Sequence, residues 1–334
     1  MTDKVLEITN LLKVYGSSGF MPGFRPKYEV LPSVDRVSFS LHKGETLGLI
    51  GESGSGKTTL GKSIIKLTDI NEGNIKLFGQ DVTSLPERKF RHLRRDIQMI
   101  FQDLDAALNP NMQVHKILAE ILLRYEKISK KDLSKRIEQL ILEVNLNIDT
   151  LGKLPTELSG GQKRRIAIAA VLAIKPKIII ADEPTTGLDS YTQTIVMQLI
   201  SDLQKKRGLS VILISHDLQL VKQSCQRIAV LYLGDIVEIG NADQIIDHPA
   251  HPYTQLLWNS HLSQTAGVKT HNRRHDIRSG LHDFARPAKG CRFAPRCEKY
   301  LKMGKPIECT NADSKPKLND IRKNHQAACH FLVE

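Results

Sequence analysis

The sequence predicts an α/β protein built on a largely parallel sheet, and three observations carry that prediction. Two segments, 177–182 (KIIIAD) and 210–216 (SVILISH), are continuous apolar strands of the kind buried on both faces of a parallel sheet. A helical stretch, 190–206, separates them. A further apolar strand, 45–51 (ETLGLIG), runs straight into glycines and then into a helical segment. Strands that alternate with helices are the pattern of an α/β fold.

The remaining elements follow the same rules. Residues 4–14 and 34–41 alternate apolar and polar side chains, the mark of half-buried strands, and the stretch between them is rich in Gly, Pro and Ser and reads as a long loop. From about 103 to 150 the apolar residues fall at i, i+3, i+4 spacing, and a second helical run over 162–173 follows a glycine pair. After the turn-rich 247–255 the composition becomes polar, basic and cysteine-bearing, which places a boundary near 256. At 334 residues the chain exceeds the size at which one core stops growing, so a large domain with an appendage is expected. We expect a first domain over 1–256, a linker over 257–290 and a small extension over 291–334.

Composition narrows the function classes. A hydrophobic share of 40% and a charged share of 25% are those of a globular protein in water. No apolar run approaches the roughly 18 residues of a membrane span. The opening MTDKVLEITN has no basic patch leading into an apolar core, so no secretory signal is expected and any membrane role has to come through partners. The net charge is +12, and about two thirds of the excess lies after residue 260, including Lys269, Arg273, Arg274, Arg278 and Arg286. With aromatics at only 5%, this reads as a solvated basic tail and not as a nucleic-acid groove.

The motifs carry the chemistry. Gly51-Glu52-Ser53-Gly54-Ser55-Gly56-Lys57-Thr58 fits the P-loop pattern, with a strand before it and a helix, beginning near Thr59, after it. Its glycines let backbone N–H groups face phosphate oxygens, Lys57 reaches the β- and γ-phosphates, and Thr58 offers a hydroxyl to Mg²⁺. In most proteins a lone Asp-Glu pair at a strand end is a solvated turn. Here the pair Asp182-Glu183 ends an apolar strand downstream of a P-loop, so Asp182 is expected to hold Mg²⁺ and Glu183 to polarise the attacking water. Leu158-Ser159-Gly160-Gly161-Gln162 stands just before a helix, where Ser159 can cap and the glycines can expose N–H groups to an anion.

LSGGQ is the signature of ABC ATPases, and over residues 4–257 the chain resembles that family element by element. Tyr15 matches the aromatic that stacks on adenine, and Gln102 in IFQD matches the Q-loop glutamine, a ligand of Mg²⁺ and sensor of the γ-phosphate. Thr186-Gly187-Leu188-Asp189 matches the D-loop, and His216 in ISHD matches the switch histidine. The resemblance implies a P-loop NTPase (RecA-like) core with an N-terminal antiparallel β subdomain and a helical signature subdomain over about 103–170. It implies two cassettes joined head to tail, each ATP lying between one P-loop and the other chain's LSGGQ. One departure is Ala170, where many members carry arginine; it does not touch the nucleotide.

Within the family the chain looks like the peptide/nickel importer branch, in the subunit type that pairs with a second, different ATPase. GESGSGKTTL, FQDLDAALNPNM, YLGDIVEIG, HPYTQLL and the tail GCRFAPRC carry that resemblance. It implies two membrane permeases, a substrate-binding protein and a place on the cytoplasmic face of the membrane. A soluble ABC ATPase acting on ribosomes or nucleic acid is the alternative, though such proteins usually carry two cassettes or a coiled-coil insertion. Four of five cysteines, Cys291, Cys297, Cys309 and Cys329, fall in the last 44 positions and suggest a metal site. Their spacing lacks the short pairs of zinc ribbons. Resemblance favours a [4Fe–4S] cluster, with zinc and unligated thiols as alternatives. Cys225 is expected to be a core thiol.

Overall fold

The computed structural model describes residues 3–15, 31–103, 108–265, 290–311 and 314–332. The chain divides into two compact units whose segments interleave along the sequence, one drawn mainly from 84–214 and the other from 4–41, 46–83 and 215–334.

Up to residue 83 the elements are β1 (Lys4–Lys13), β2 (Val34–His42), β3 (Thr46–Ile50), α1 (Lys57–Ile64), β4 (Glu72–Leu77) and β5 (Gln80–Asp81). The middle of the chain forms α2 (Glu87–Leu93), β6 (Ile97–Ile100), α3 (Val114–Tyr125), α4 (Lys130–Glu143), α5 (Gly160–Ala173), β7 (Ile178–Asp182), α6 (Ser190–Arg207) and β8 (Ser210–Ile214). The rest contributes α7 (Leu218–Ser224), β9 (Arg227–Tyr232), β10 (Asp235–Asn241), α8 (Ala242–Asp247), α9 (Pro252–Thr265), α10 (Glu298–Lys302), β11 (Asn319–Arg322) and β12 (His325–Ala327).

In the first unit β7 pairs in parallel with β6 and with β8, and every residue of β7 and β8 is buried. That burial on both faces is why these strands read as unbroken apolar runs. Asp182 ends β7 opposite Ile214, so the strand delivers its carboxylates to one edge. Helices α3, α4 and α5 pack on one another, α3 presenting Val114, Ile117, Leu118 and Leu122 as its apolar stripe. The helical reading that began at 103 is corrected by the turn at 109–112, where Asn109 Oδ1 accepts from the Asn111 amide and the Asn109 carbonyl from the Met112 amide. Asn-Pro-Asn stops helix nucleation there, and α3 starts only at Val114.

The second unit holds two sheets. One has the order β2-β1-β4-β5, with β1 antiparallel to β4. In the other β3 lies parallel to β9, β10 runs antiparallel to β9, and the β11–β12 hairpin is added to β10. Cys225 is buried, and the Cβ of an alanine at Gly48 of β3 would meet its sulfur at 3.0 Å. The α9 helix runs on to Thr265, beyond position 256, while residues 266–289 of the expected linker lie outside the described residues. So do Lys269, Arg273, Arg274, Arg278 and Arg286. Among the described residues no helix is long and apolar enough to cross a membrane.

Candidate functional site

The P-loop is a partly buried turn between β3 and α1, with Gly51, Ser55 and Lys57 buried. Gly56 caps α1 at φ 106°, in the left-handed region, and a Cβ there would stand 2.1 Å from the Ser33 carbonyl oxygen. Only glycine fits that position. Ser55 is fully buried, and its carbonyl accepts from the Gly234 amide at 2.8 Å. The Lys57 ammonium donates to the carbonyls of Gly51 (2.7 Å) and Glu52 (2.9 Å). The lysine is thus folded onto the carbonyls of its own loop. Ser53 and Gly54 are exposed and Thr58 and Thr59 half-buried along the start of α1. The same unit contains His216, exposed at the end of the segment that follows β8, and Tyr15, 48% exposed with the Lys13 ammonium 4.9 Å from its ring centre.

The other unit groups Gln102, Ser159–Gln162, Asp182, Glu183 and Asp189. Asp182 and Glu183 are both buried. Glu183 takes a left-handed φ of 49°, an uncommon conformation for a residue with a side chain. Its amide donates to the Ile214 carbonyl (2.9 Å) and its Oε2 accepts from the Thr186 hydroxyl (2.9 Å), which fixes both backbone and carboxylate. Arg164 of α5 donates to the carbonyls of Phe101 (3.2 Å), Gln102 (3.3 Å) and Thr186 (3.3 Å). One guanidinium therefore ties the signature helix to the Gln102 segment and to the loop after the carboxylates. Burial lowers its pKa, and the Glu183 charge works against that shift.

The signature turn supports itself. Ser159 Oγ accepts from the Gln162 amide (3.3 Å), and Gln162 Oε1 accepts from the Ser159 amide (3.0 Å), a reciprocal capping box. Ser159 and Gly160 stay exposed. Asp189 caps α6, accepting from the Thr192 amide (3.0 Å) and hydroxyl (2.7 Å), and these bonds lower its pKa.

Within the second unit the tail is held by buried charges. Arg292 donates to Asp35 (2.6 Å) and lies 3.0 Å from Asp235, while Lys315 reaches both carboxylates. Glu238 of β10 accepts from the amides of Ala250 (2.8 Å) and His251 (2.9 Å) and from His325 of β12 (2.7 Å). Burial pulls the His251 pKa down to about 4, so its Nδ1 remains an acceptor for the Tyr253 amide. Arg296 makes a bidentate pair with Glu52 of the P-loop, both bonds at 2.9 Å. The expectation of a solvated basic tail does not hold for Arg292 and Arg296, which are buried because each faces carboxylates.

Cys291, Cys297, Cys309 and Cys329 line one cavity of about 20 Å³, beside Phe293, Tyr300 and His330. Burial pushes the Cys291 thiol up to about 12 and Cys309 to about 11, and raises Cys329 as well. Two of the sulfurs accept backbone N–H groups, Cys297 from Tyr300 and Cys329 from Phe331, each at 3.4 Å. Among the described residues no three His, Cys, Asp or Glu side chains converge closely enough to hold a single metal ion.

Sequence reasoning did not single out Thr186 as a partner of Glu183, nor Arg164, Tyr253 and Arg296. Arg164, Tyr253 and Arg296 act through contacts distant in sequence, which no local spacing encodes.

The comparisons with known proteins bear on both parts of the chain. A family profile described as ABC transporter matches residues 34–186, and one described as oligopeptide/dipeptide transporter, C-terminal region, matches 237–303. The oligopeptide transport ATP-binding protein AppF of Bacillus subtilis is 37% identical over 330 residues, covering 98% of each chain. The oligopeptide transport ATP-binding protein OppF of Salmonella typhimurium is 38% identical, covering 88% of each chain. Among solved structures, the ATP-binding cassette MJ0796, a dimer in a post-hydrolysis state with ADP and Pi, superposes with a TM-score of 0.62 at 28% identity, over 71% of this chain and 98% of that one. The chain belongs to the ABC transporter family as an ATP-binding subunit, and it carries the C-terminal region of oligopeptide/dipeptide transporters.

Proposed function

We propose that this chain hydrolyses ATP to drive peptide uptake through a membrane importer. It works at the cytoplasmic face with two permease subunits, a second and different ATPase, and a substrate-binding protein outside the membrane. The observation that carries the reading is the joint presence of an ordered nucleotide motif set and an oligopeptide/dipeptide-type C-terminal region in one chain. Relatives named for oligopeptide transport support peptides as the substrate class, ahead of nickel or a metal–chelator complex. The ATP-binding domain occupies 1–256, with the helical signature subdomain at about 103–170, the linker at 257–290 and the four-cysteine extension at 291–334.

Each residue has a role in this reading. Lys57 exchanges two carbonyls for the β- and γ-phosphates, while the backbone amides of Gly51 and Ser53–Thr59 cradle them. Tyr15 stacks on adenine. Thr58, Asp182 and Gln102 serve Mg²⁺, which offsets phosphate charge when bound. Glu183, steadied by Thr186, orients the water, and His216 holds the γ-phosphate. Ser159, Gly160, Gly161 and Gln162 face the ATP of the second ATPase, next to Asp189 of the D-loop.

The tail cysteines Cys291, Cys297, Cys309 and Cys329 hold a [4Fe–4S] cluster in the same reading. Four thiols around one cavity and two N–H···S bonds support it, whereas a tetrahedral zinc site draws its sulfurs to within about 2.3 Å of one point. When bound, the cluster cross-links a tail too small to build a core. Anaerobically purified protein is expected to be brown, with about four irons per chain. Stoichiometric zinc in colourless protein would move the site to the zinc alternative.

The test of function is affinity purification of the tagged chain from solubilised membranes, with uptake of a labelled peptide by the same cells. Two permeases and a second ATPase should co-purify, and uptake should require Glu183. Recovery with ribosomes and no permease would overturn the importer reading.

A further inference from the structure

Glu52 places a negative charge inside a loop built to bind phosphate. Its backbone is engaged on both sides: the amide donates to the Tyr253 hydroxyl (2.9 Å), and the carbonyl accepts from Lys57 (2.9 Å) and from the Ser55 amide (3.1 Å). Its carboxylate is gripped by both terminal nitrogens of Arg296, which comes from the tail 244 residues further along. The Arg296 side chain is 1% exposed and that of Glu52 10%, so the pair is shielded from water. The guanidinium lies 5.8 Å from the Tyr232 ring centre and 6.0 Å from that of Phe293. Tyr232, Tyr253 and Phe293 form a mutually packed aromatic triad with centroids 4.5–5.5 Å apart.

We propose that Arg296 is a positioning residue of the nucleotide site: it neutralises Glu52 and braces the P-loop, making the cysteine-bearing tail part of the ATP-binding apparatus. The proposal rests on the P-loop being the ATP site. A buried carboxylate with its partner removed would oppose the polyphosphate and seek water, and either effect pulls the loop away from its phosphate-binding shape. With Arg296 in place the loop keeps two of its supports, Arg296 and Tyr253, when Lys57 leaves the Glu52 carbonyl for phosphate. Phe293 and Arg296 both lie between Cys291 and Cys297, so the segment that carries the brace is the one the two cysteines bracket. Affinity for ATP and the integrity of that segment are then linked, each stabilising the other.

The test is calorimetric titration of the full chain with Mg-ATP and Mg-ADP, alongside thermal unfolding. Arg296→Met keeps the apolar stem on the aromatic triad but leaves Glu52 unpaired. Its dissociation constants for both nucleotides should rise on the order of tenfold, and adding Glu52→Gln should restore them to within about threefold of wild type. Glu52→Gln alone keeps the tail sequence intact and should bind within about threefold of wild type; it also serves if Arg296→Met fails to fold. A purely structural role would lower the unfolding temperature of Arg296→Met and leave its nucleotide affinity unchanged, which would overturn the proposal. So would a double variant that binds no better than Arg296→Met. Should Arg296→Met not fold, normal ATP binding by Glu52→Arg, which sets two cations face to face, would overturn it and weakened binding would support it. If the wild-type chain itself bound no nucleotide, the reading of the P-loop would fail first, and this inference with it.

Discussion

The P-loop and the signature turn are both glycine-rich segments that open a helix, yet they are held in opposite ways. The P-loop is supported from outside itself, by Arg296, by the Tyr253 hydroxyl and by close packing of Gly56 on Ser33. The LSGGQ turn satisfies its own polar groups through the Ser159–Gln162 capping box and leaves Ser159 and Gly160 exposed. A loop that must take up a polyanion within its own chain needs a preorganised frame. A turn meant for another chain's ligand needs only to keep its shape and stay accessible. On the proposed function, the difference gives affinity to the first and turnover in the assembly to the second.

The sharpest way to test that division is to remove chemistry without removing either turn. Glu183→Gln keeps the Thr186 bond and should bind ATP normally while turnover in the assembled complex drops by about 10²-fold or more. Unchanged hydrolysis, measured as phosphate release, would take Glu183 out of the mechanism. Lys57→Ala strikes the P-loop itself and should weaken nucleotide binding by roughly 10–150-fold, the scale of a charged hydrogen bond at about 1.5–3 kcal/mol. The isolated chain should be a poor ATPase whose specific rate rises as a second cassette is supplied, by the partner or by raised protein concentration, because each site waits for another chain's signature turn. A rate independent of dilution would break the contrast, since the signature would then have no outside role. A last comparison sets two glycines side by side, in stability and not in turnover. Gly56→Ala meets a carbonyl at 2.1 Å in a left-handed backbone, and should cost at least the upper end of about 1–3 kcal/mol. Gly161→Ala meets the Thr192 methyl at 2.4 Å from an ordinary helical backbone, and should cost less, about 1–2 kcal/mol. Equal losses in thermal denaturation would mean that the two turns are packed alike.

The same contrast explains what the sequence disclosed. Signals that repeat locally were legible: the apolar strands β7 and β8, the helices α5 and α6, and the P-loop with its flanking strand and helix. Expected and observed bounds differ by a residue or two, as at Ser190–Arg207 against 190–206. Strand β9 (RIAVLY) is as apolar as β7 and β8 but follows α7 without a turn signal to mark its start. The buttress of the P-loop was not legible at all. Arg296 and Glu52 are separated by 244 residues, and a basic tail reads as solvated until its carboxylate partners are located. Arg164 was hidden for the same reason: on a helix beside LSGGQ it looks like surface charge, yet it closes on three carbonyls 22 to 63 residues away. Periodicity reports burial within an element and is silent on which elements meet.

The hairpin formed by β11 and β12 has a consequence for how this subunit stays separate from its neighbours. Without it β10 would end its sheet as a bare rim of unpaired amides and carbonyls, apolar along Ile236, Val237 and Ile239. Such a rim recruits strands from other molecules. The tail replaces it with β11, four residues long and carrying Asn319, Asp320 and Arg322, a short and charged border on which foreign strands find little purchase. A chain truncated after α9 would therefore lose more than the cysteines and Arg296: it would be expected to self-associate through β10, a change visible by light scattering.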